Sequence, residues 1–267
     1  MKRVPIIGIG AGDPDHLTLQ AVKAIARAEV FFILDKGEVK QDLVRLRREI
    51  IDAHAAGPYR LVEAGDPARD RTTPAYAAAV EDWRARRADV FERLIRDELG
   101  ADETGAFLVW GDPALYDSTL AIVEEVLGRG IAFEYEVIPG ISSVSALAAR
   151  HRVSLTRVAR PLHITTGRRL AQHVPVESDD IVVMLDARDA FATMPGASEF
   201  DIYWGAYLGT PDEILISGPV TEVADRIRAT RAEARERKGW IMDTYLLRKV
   251  DRSGNADPAA LRRKAAQ

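Results

Sequence analysis

The sequence predicts an α/β protein of two domains: an N-terminal five-stranded parallel sheet with helices on both faces, and an α+β C-terminal domain. Three observations carry this. Apolar strand-like runs alternate with helical spacing through the first half, as in parallel strands joined by right-handed crossovers. Three of those runs lead into the same turn, Gly12-Asp13-Pro14, Gly65-Asp66-Pro67 and Gly111-Asp112-Pro113, and a fourth leads into Pro139-Gly140. From Ile141 the texture changes to short strand candidates with few helices. The expected divisions are 1–140, 141–251 and a polar tail at 252–267.

Taken in order, Val4–Ile9 is apolar on both faces, which suits a parallel strand covered by helices. Leu17, Leu19, Val22, Ile25 and Ala26 recur at helical spacing, with Thr18 placed to cap the helix start. Val30–Leu34 is a second strand ending at Asp35-Lys36-Gly37. Leu43, Leu46, Ile50 and Ile51 mark a helix, and residues 61–63 a third strand. A helix over 74–99 presents Val80, Trp83, Val90, Leu94, Ile95 and Leu99. Phe107–Trp110 is the fourth strand, Leu120–Leu127 a helix and Tyr135–Ile138 the fifth strand. Lying parallel, these strands bring all four glycine turns to one carboxyl edge, where open α/β sheets hold ligands.

In the second half, Ser142–His151 reads as a small-residue helix. His163–Thr166, Ile181–Leu185, Ile202–Leu208, Glu213–Ser217 and Tyr245–Val250 read as strands. One further helix, Glu222–Lys238, has Thr221 as its expected N-cap and Gly239 as its C-cap. Beyond Asp251 only a turn at Ala259–Lys264 is expected.

Bulk properties exclude several classes. A formal net charge of −4 lacks the electrostatic footprint of a general nucleic-acid binder. The absence of cysteine removes disulfides, thiolate zinc sites and cysteine nucleophiles together. No apolar run approaches the ~20 residues of a membrane span, and the start has no signal-peptide core. A cytoplasmic protein is expected. The five histidines show no paired metal-ligand spacing, and no Gly-x-Ser-x-Gly elbow is present.

Gly8-Ile-Gly10-Ala-Gly12 invites a dinucleotide-binding reading, but the third glycine of that fingerprint falls on Asp13, whose carboxylate would oppose a pyrophosphate. Each turn aspartate also has a structural role open to it, as a helix cap or turn residue. Glycines at a sheet edge let a ligand meet bare backbone groups, so the edge suits a polar, non-phosphorylated ligand.

The stretches Ile7–Thr18, Trp110–Tyr116 and Glu136–Ala146 resemble the three successive N-terminal motifs of the tetrapyrrole methylases, enzymes of cobalamin and sirohaem biosynthesis. Weaker matches continue through residues 155–157, 165–167, 181–185 and 208–213. The helical insert near 70–99, residues 34–37 and residues 46–50 are similar to the branch that methylates precorrin-5 at C1 with loss of an acetyl unit. The resemblance implies S-adenosyl-L-methionine as methyl donor, with S-adenosyl-L-homocysteine as product, folded between two domains of a homodimer. Carried over by position, its contacts are Ala11, Trp110, Gly111, Asp112, Leu115, Ser142, Ser143, Leu185, Gly209, Thr244 and Tyr245. Two positions depart from the family: Ala11 stands where proline is common, and Leu185-Asp186 where Met-Gly is common.

A sulfonium methyl is already activated, so alignment is the main requirement and no enzymic nucleophile is needed. Acetyl loss implies water attacking a carbonyl, for which Asp13 is the first candidate general base. Tyr116 is the second candidate, as a hydrogen-bond donor or a wall. His16 reads as either a substrate contact or a surface residue of the helix start. Lys36, Arg69, Arg71, Arg157, Arg160 and Arg168 are candidates for a basic rim around an acid-fringed substrate. Other readings stay open: the same fold acting on another precorrin or uroporphyrinogen, or on protein or RNA, and a tetrapyrrole-binding protein without catalysis. The partner is expected to be a small tetrapyrrole, with no nucleic acid and no membrane.

Overall fold

The computed structural model describes residues 1–35, 37, 41–68, 76–175 and 177–250. Lys36, Arg69, Arg71 and the expected tail with its turn at 259–264 lie outside these. The chain divides into two compact units between Ser142 and Ser143.

The first unit runs β1 (Arg3–Gly8), α1 (Leu19–Ile25), β2 (Val30–Asp35), α2 (Gln41–His54), β3 (Arg60–Gly65), α3 (Tyr76–Glu98), β4 (Gly105–Val109), α4 (Thr119–Gly128) and β5 (Glu134–Ile138). Its strands form one parallel sheet in the order β3-β2-β4-β1-β5. Alternation along each strand feeds two cores. Val4, Ile6, Val30, Phe32, Phe107 and Val109 face α3 and α4, where Phe107 stacks on Phe91 at 4.1 Å. Ile7, Ile9, Phe31, Ala106 and Leu108 face α1 and α2. Each large apolar side chain so buried stabilises the fold by ~1.5–3 kcal/mol. Thr18 caps α1 as its position predicts, Oγ1 accepting from Ala21 N at 3.0 Å.

The strand order fixes where a ligand is expected. From β1 the chain moves outward to β2 and β3 with α1 and α2 on one face. It returns through β4 to β5 with α3 and α4 on the other. The neighbouring strands β1 and β4 therefore send their following loops to opposite faces, which opens a crevice at their carboxyl ends.

All four glycine turns lie at the carboxyl edge of this parallel sheet as expected, but the order does not crowd them together. The turns after β4, β1 and β5 are neighbours, but β2 separates β3 from β4. The Gly65-Asp66-Pro67 turn anchors α3 instead. Arg87 Nε lies 2.8 Å from Asp66 Oδ1 with both side chains 7% exposed, and Trp83 Nε1 donates to Pro67 O at 2.9 Å.

The second unit comprises α5 (Ser143–His151), β6 (Leu162–Thr166), α6 (Gly167–Gln172), β7 (Asp180–Met184), α7 (Ala190–Thr193), β8 (Phe200–Ala206), β9 (Ile214–Pro219), α8 (Val220–Lys238) and β10 (Asp243–Lys249). Its sheet has the order β6-β7-β10-β8-β9, parallel between β6 and β7 and antiparallel elsewhere. Two helices beyond the pair expected are present, α6 and α7, each too short to show a helical period. Thr221 is not the cap of α8. β9 runs directly into the helix, Pro219 occupies the N-cap without a side-chain bond, and Thr221 falls inside the first turn. Gly239 does close α8, at φ 75°.

Candidate functional site

In the first unit, β1 and β4 stay paired past their last strand residues. Ile9 N donates to Val109 O at 2.9 Å, Gly10 N to Gly111 O at 3.3 Å and Gly111 N to Gly10 O at 2.8 Å. The glycines here do two different jobs. Gly8, Gly111 and Gly140 meet backbone to backbone: a Cβ on Gly140 would lie 2.1 Å from Gly111 O, and one on Gly8 would lie 2.5 Å from Gly140 N. A Cβ on Gly111, at φ 73°, would meet nothing within 4 Å, so the space beside its Cα is open, although the residue is buried and its N–H and C=O are both paired with Gly10. A ligand at this edge meets bare peptide.

Asp112 holds that backbone in place. Its Oδ1 accepts from Ala114 N at 2.7 Å and its Oδ2 from Gly140 N at 3.1 Å, tying the β4 turn to the β5 turn. Leu115 N donates to Asp112 O, and Leu115 is half-buried. Tyr116 follows at φ 52° with 46% exposure. Ala11 is buried at 1% and Ser142 is half-buried. Asp13 caps the short 3-10 turn Pro14–His16, its Oδ1 accepting from Asp15 N at 2.9 Å.

Two groups here have unfilled hydrogen-bonding capacity. His16 Nδ1 and Trp110 Nε1 are both buried and have no hydrogen-bond partner among the described residues. His16 passes so close to the β1 turn that a Cβ on Gly10, at φ 81°, would come 2.4 Å from its Cβ. Trp110 extends the Ala106, Leu108 series and, like Leu17 and Leu46, packs against the core on the α1 and α2 face. Arg47 of α2 arrives on the same face, Nε donating to Leu108 O at 3.1 Å and a terminal nitrogen to Leu43 O at 2.9 Å. Burial of the guanidinium holds its pKa down to about 10, against the opposing pull of Asp117.

In the second unit, Leu185 follows β7 at φ 53° and is 63% exposed. Asp186 beside it is buried and fully engaged. It accepts from Arg188 N at 2.9 Å, Ala190 N at 2.7 Å and the Tyr245 hydroxyl at 2.6 Å. Burial first, and Asp186 second, push the Tyr245 hydroxyl well above its usual range, so it is a permanent donor. The side chain of Tyr245 is wholly buried, its ring edge-on to Phe191. Thr244 Oγ1 and Ser143 Oγ lie 3.2 Å apart. Gly209, at φ 77°, donates its N–H to Glu213 at 2.9 Å.

The structure thus gathers Ala11, Asp13, Trp110, Gly111, Asp112, Leu115 and Tyr116 around the ends of β1 and β4 in the first unit. Ser143 and Thr244 form one pair in the second unit, and Leu185 and Tyr245 flank Asp186. Among the rim candidates, Arg157 and Arg160 pair with Asp180 and Asp179 at the start of β7, the opposite end of that strand from Leu185. With Lys249 they line a separate cavity of about 190 Å³. Arg168 is exposed at the start of α6, at the same end of the sheet as Leu185. Sequence reasoning missed Arg47, whose neighbours on α2 look like an ordinary charged face, and Asp186, read only as a departure from a pattern. Among the described residues no cluster of histidine or carboxylate side chains is placed to hold a metal ion, and no helix is long and apolar enough to cross a membrane.

Comparison with known proteins adds the chemistry. The family model of the tetrapyrrole (corrin/porphyrin) methylases matches residues 3–224. The chain is 52% identical over 251 residues to a precorrin-6A synthase [deacetylating] of Sinorhizobium sp., covering 93% of this chain and 96% of the relative. Among solved structures it is similar to a cobalamin synthesis related protein (CobF) of Corynebacterium diphtheriae, with 38% identity and TM-score 0.81 over 94% of this chain and 100% of the other. The fold is shared with a uroporphyrin-III C-methyl transferase of Thermus thermophilus complexed with S-adenyl homocysteine, with 20% identity and TM-score 0.55 over 92% of this chain and 96% of the other.

Proposed function

Because the chain belongs to the tetrapyrrole (corrin/porphyrin) methylases, we propose that it methylates precorrin-5 at C1 with loss of the acetyl unit, giving precorrin-6A. What carries the choice of substrate is the Sinorhizobium relative, at 52% identity along 93% of the chain. The methyl donor is S-adenosyl-L-methionine, which the family uses. Bound there, it supplies a methyl group already activated on a sulfonium.

The residues present fit such a donor. Gly111 leaves the space beside its Cα open at the β1 and β4 crevice. Asp112, its carboxylate occupied by two backbone N–H groups, fixes the main chain there, so its contact to the donor is assigned to its backbone. Ala11, Trp110, Gly111, Asp112, Leu115 and Ser142 are assigned as donor contacts in the first unit, and Ser143, Leu185, Gly209, Thr244 and Tyr245 in the second. Of the last two, Thr244 offers its side chain and Tyr245 only its backbone, since its ring is enclosed. The left-handed φ at Leu185 favours aligning the glycine of the family's Met-Gly pair with Leu185 and its methionine with Met184. Glycine is the residue that takes that conformation without strain.

Non-glycine residues in left-handed backbone cluster at functional sites. Of the six among the described residues, Tyr116 and Leu185 alone are also large, exposed and apolar. They suit the walls of a site for a flat ring, and Asp13 suits a contact to its periphery. The enzyme is assigned as a cytoplasmic homodimer acting on a small tetrapyrrole, without nucleic-acid or membrane partners.

The test is incubation of the protein with S-adenosylmethionine and precorrin-5, with mass measurement of the ring and assay of acetate. One methyl gained and one acetyl lost per ring is the expected result. Methylation of a different precorrin, with no acetate formed, would replace this substrate assignment.

A further inference from the structure

We propose that His16, Trp110 and Arg47 form the acyl-handling corner of the site, His16 Nδ1 accepting the proton of the attacking water while the Trp110 Nε1–H and the Arg47 guanidinium receive the acyl oxygen. This rests on the reaction proposed above and assigns residues to its acetyl-releasing half.

The starting observation is a scarcity. Buried polar atoms are nearly always paired, and each one left unpaired costs ~1–3 kcal/mol. Asp66 and Arg87 face each other as an ion pair at 2.8 Å. His16 Nδ1 and Trp110 Nε1 then stand apart as the buried side-chain nitrogens without a partner among the described residues. They belong to the loops that follow β1 and β4, the two strands whose loops diverge, and those loops are joined by the Gly10 and Gly111 backbone exchange. Leu17, next to His16, packs against the same core face as Trp110. Arg47 adds a positive charge on that face, held there by the carbonyls of Leu108 and Leu43.

The three side chains have complementary chemistry. An indole N–H donates only, and so does a guanidinium. An imidazole protonated at Nε2 presents a lone pair at Nδ1. Acetyl release needs both kinds of group. Water forms a bond from its oxygen to the acyl carbon while the carbonyl oxygen turns negative, which favours the two donors. The C1–acyl bond then breaks, its electron pair stays on C1, and acetic acid leaves carrying the oxygen and one proton of that water. The second proton goes to His16. The pair left on C1 is the nucleophile that methylation requires. Asp13 is less suited to take the proton, because its Oδ1 is already engaged by Asp15 N–H as the cap of the Pro14–His16 turn.

The test compares His16→Asn, His16→Ala, Trp110→Phe and Asp13→Asn with the parent. Acetate release from precorrin-5 is followed by single turnover, and S-adenosylhomocysteine affinity by calorimetry. His16→Asn should slow acetate release by ~100-fold or more, and Trp110→Phe by roughly 10- to 100-fold, with cofactor-product affinity within about threefold of the parent in the histidine variants. Added imidazole should restore part of the rate to His16→Ala, which a purely structural role would not allow. Acetate release at the parent rate in His16→Asn overturns the inference, and so does loss of release in Asp13→Asn alone. If His16→Asn no longer binds the cofactor product, the imidazole response of His16→Ala decides, absence of rescue counting against His16. A parent protein that forms no acetate from precorrin-5 would instead remove the substrate assignment.

Discussion

A leucine at φ 53° with 63% of its surface in water is doubly disfavoured, by left-handed strain and by exposure. The sequence around Leu185 gives no hint of the first, since such backbone is ordinarily signalled by glycine. Replacing Leu185 by Gly should relieve the strain while raising the entropy of the unfolded chain, and the two nearly cancel. Stability measured by urea unfolding should move by less than ~1 kcal/mol, while S-adenosylhomocysteine affinity falls. Unchanged affinity would remove Leu185 from the donor contacts. Gly140 makes the opposite case. Its Cβ would lie 2.1 Å from Gly111 O, a backbone atom with little room to move. Gly140→Ala should destabilise the first unit by ~1–3 kcal/mol or more, as overpacking does, and weaken binding by displacing Gly111. The glycine motifs and Trp110 were legible as residues of one sheet edge, where the turns after β1, β4 and β5 do lie side by side. His16 was legible only as one of two things, a substrate contact or a surface residue of the helix start, because sequence cannot show that its Nδ1 is buried.

Elements show why three identical tripeptides came to serve different ends. Gly-Asp-Pro after β1, β3 and β4 is the same local turn, and local sequence cannot say which strands will be neighbours. The order β3-β2-β4-β1-β5 does say it, leaving the β3 turn away from the crevice and against α3. The parallel strands were legible because apolar runs that end in glycine and alternate with helical periods suit crossover-linked strands far better than hairpins. The α6 and α7 helices were not legible, because six and four residues hold fewer than two turns. The Asp66 and Arg87 pair, 7% exposed on both sides, leads to a prediction at this scale. Removing Arg87 takes away the guanidinium that lies 2.8 Å from a buried carboxylate. Arg87→Leu should cost ~3–5 kcal/mol in urea unfolding, whereas Arg87→Leu combined with Asp66→Leu should recover a large part of that loss. Additive losses in the double variant would show that the pair is not what anchors α3 to the turn.

At the scale of the whole molecule, buried tyrosines govern how its stability responds to alkali. Tyr245 is wholly enclosed, donates to Asp186, and has its pKa raised well above the ordinary value, first by burial and then by that carboxylate. Below the unfolded tyrosine value of about 10, folded and unfolded states are both protonated and the hydroxyl contributes fully. Above it the unfolded chain releases the proton and the folded chain does not, so stability is lost as pH rises toward the folded pKa. One such proton is worth ~1.4 kcal/mol per pH unit. Tyr207, also buried and raised, and Tyr59 and Tyr135, raised through their carboxylate partners, add to the same limb. Tyr245→Phe should therefore be less stable than the parent at neutral pH, since Asp186 loses one of its donors. Above pH ~10 its stability should fall less steeply by about one proton's worth, so that the two curves converge. Urea unfolding across an alkaline pH series measures both slopes. Parallel curves would mean that the Tyr245 hydroxyl ionises as readily in the fold as out of it, and equal stability at neutral pH that Asp186 is held by Arg188 and Ala190 without need of the hydroxyl.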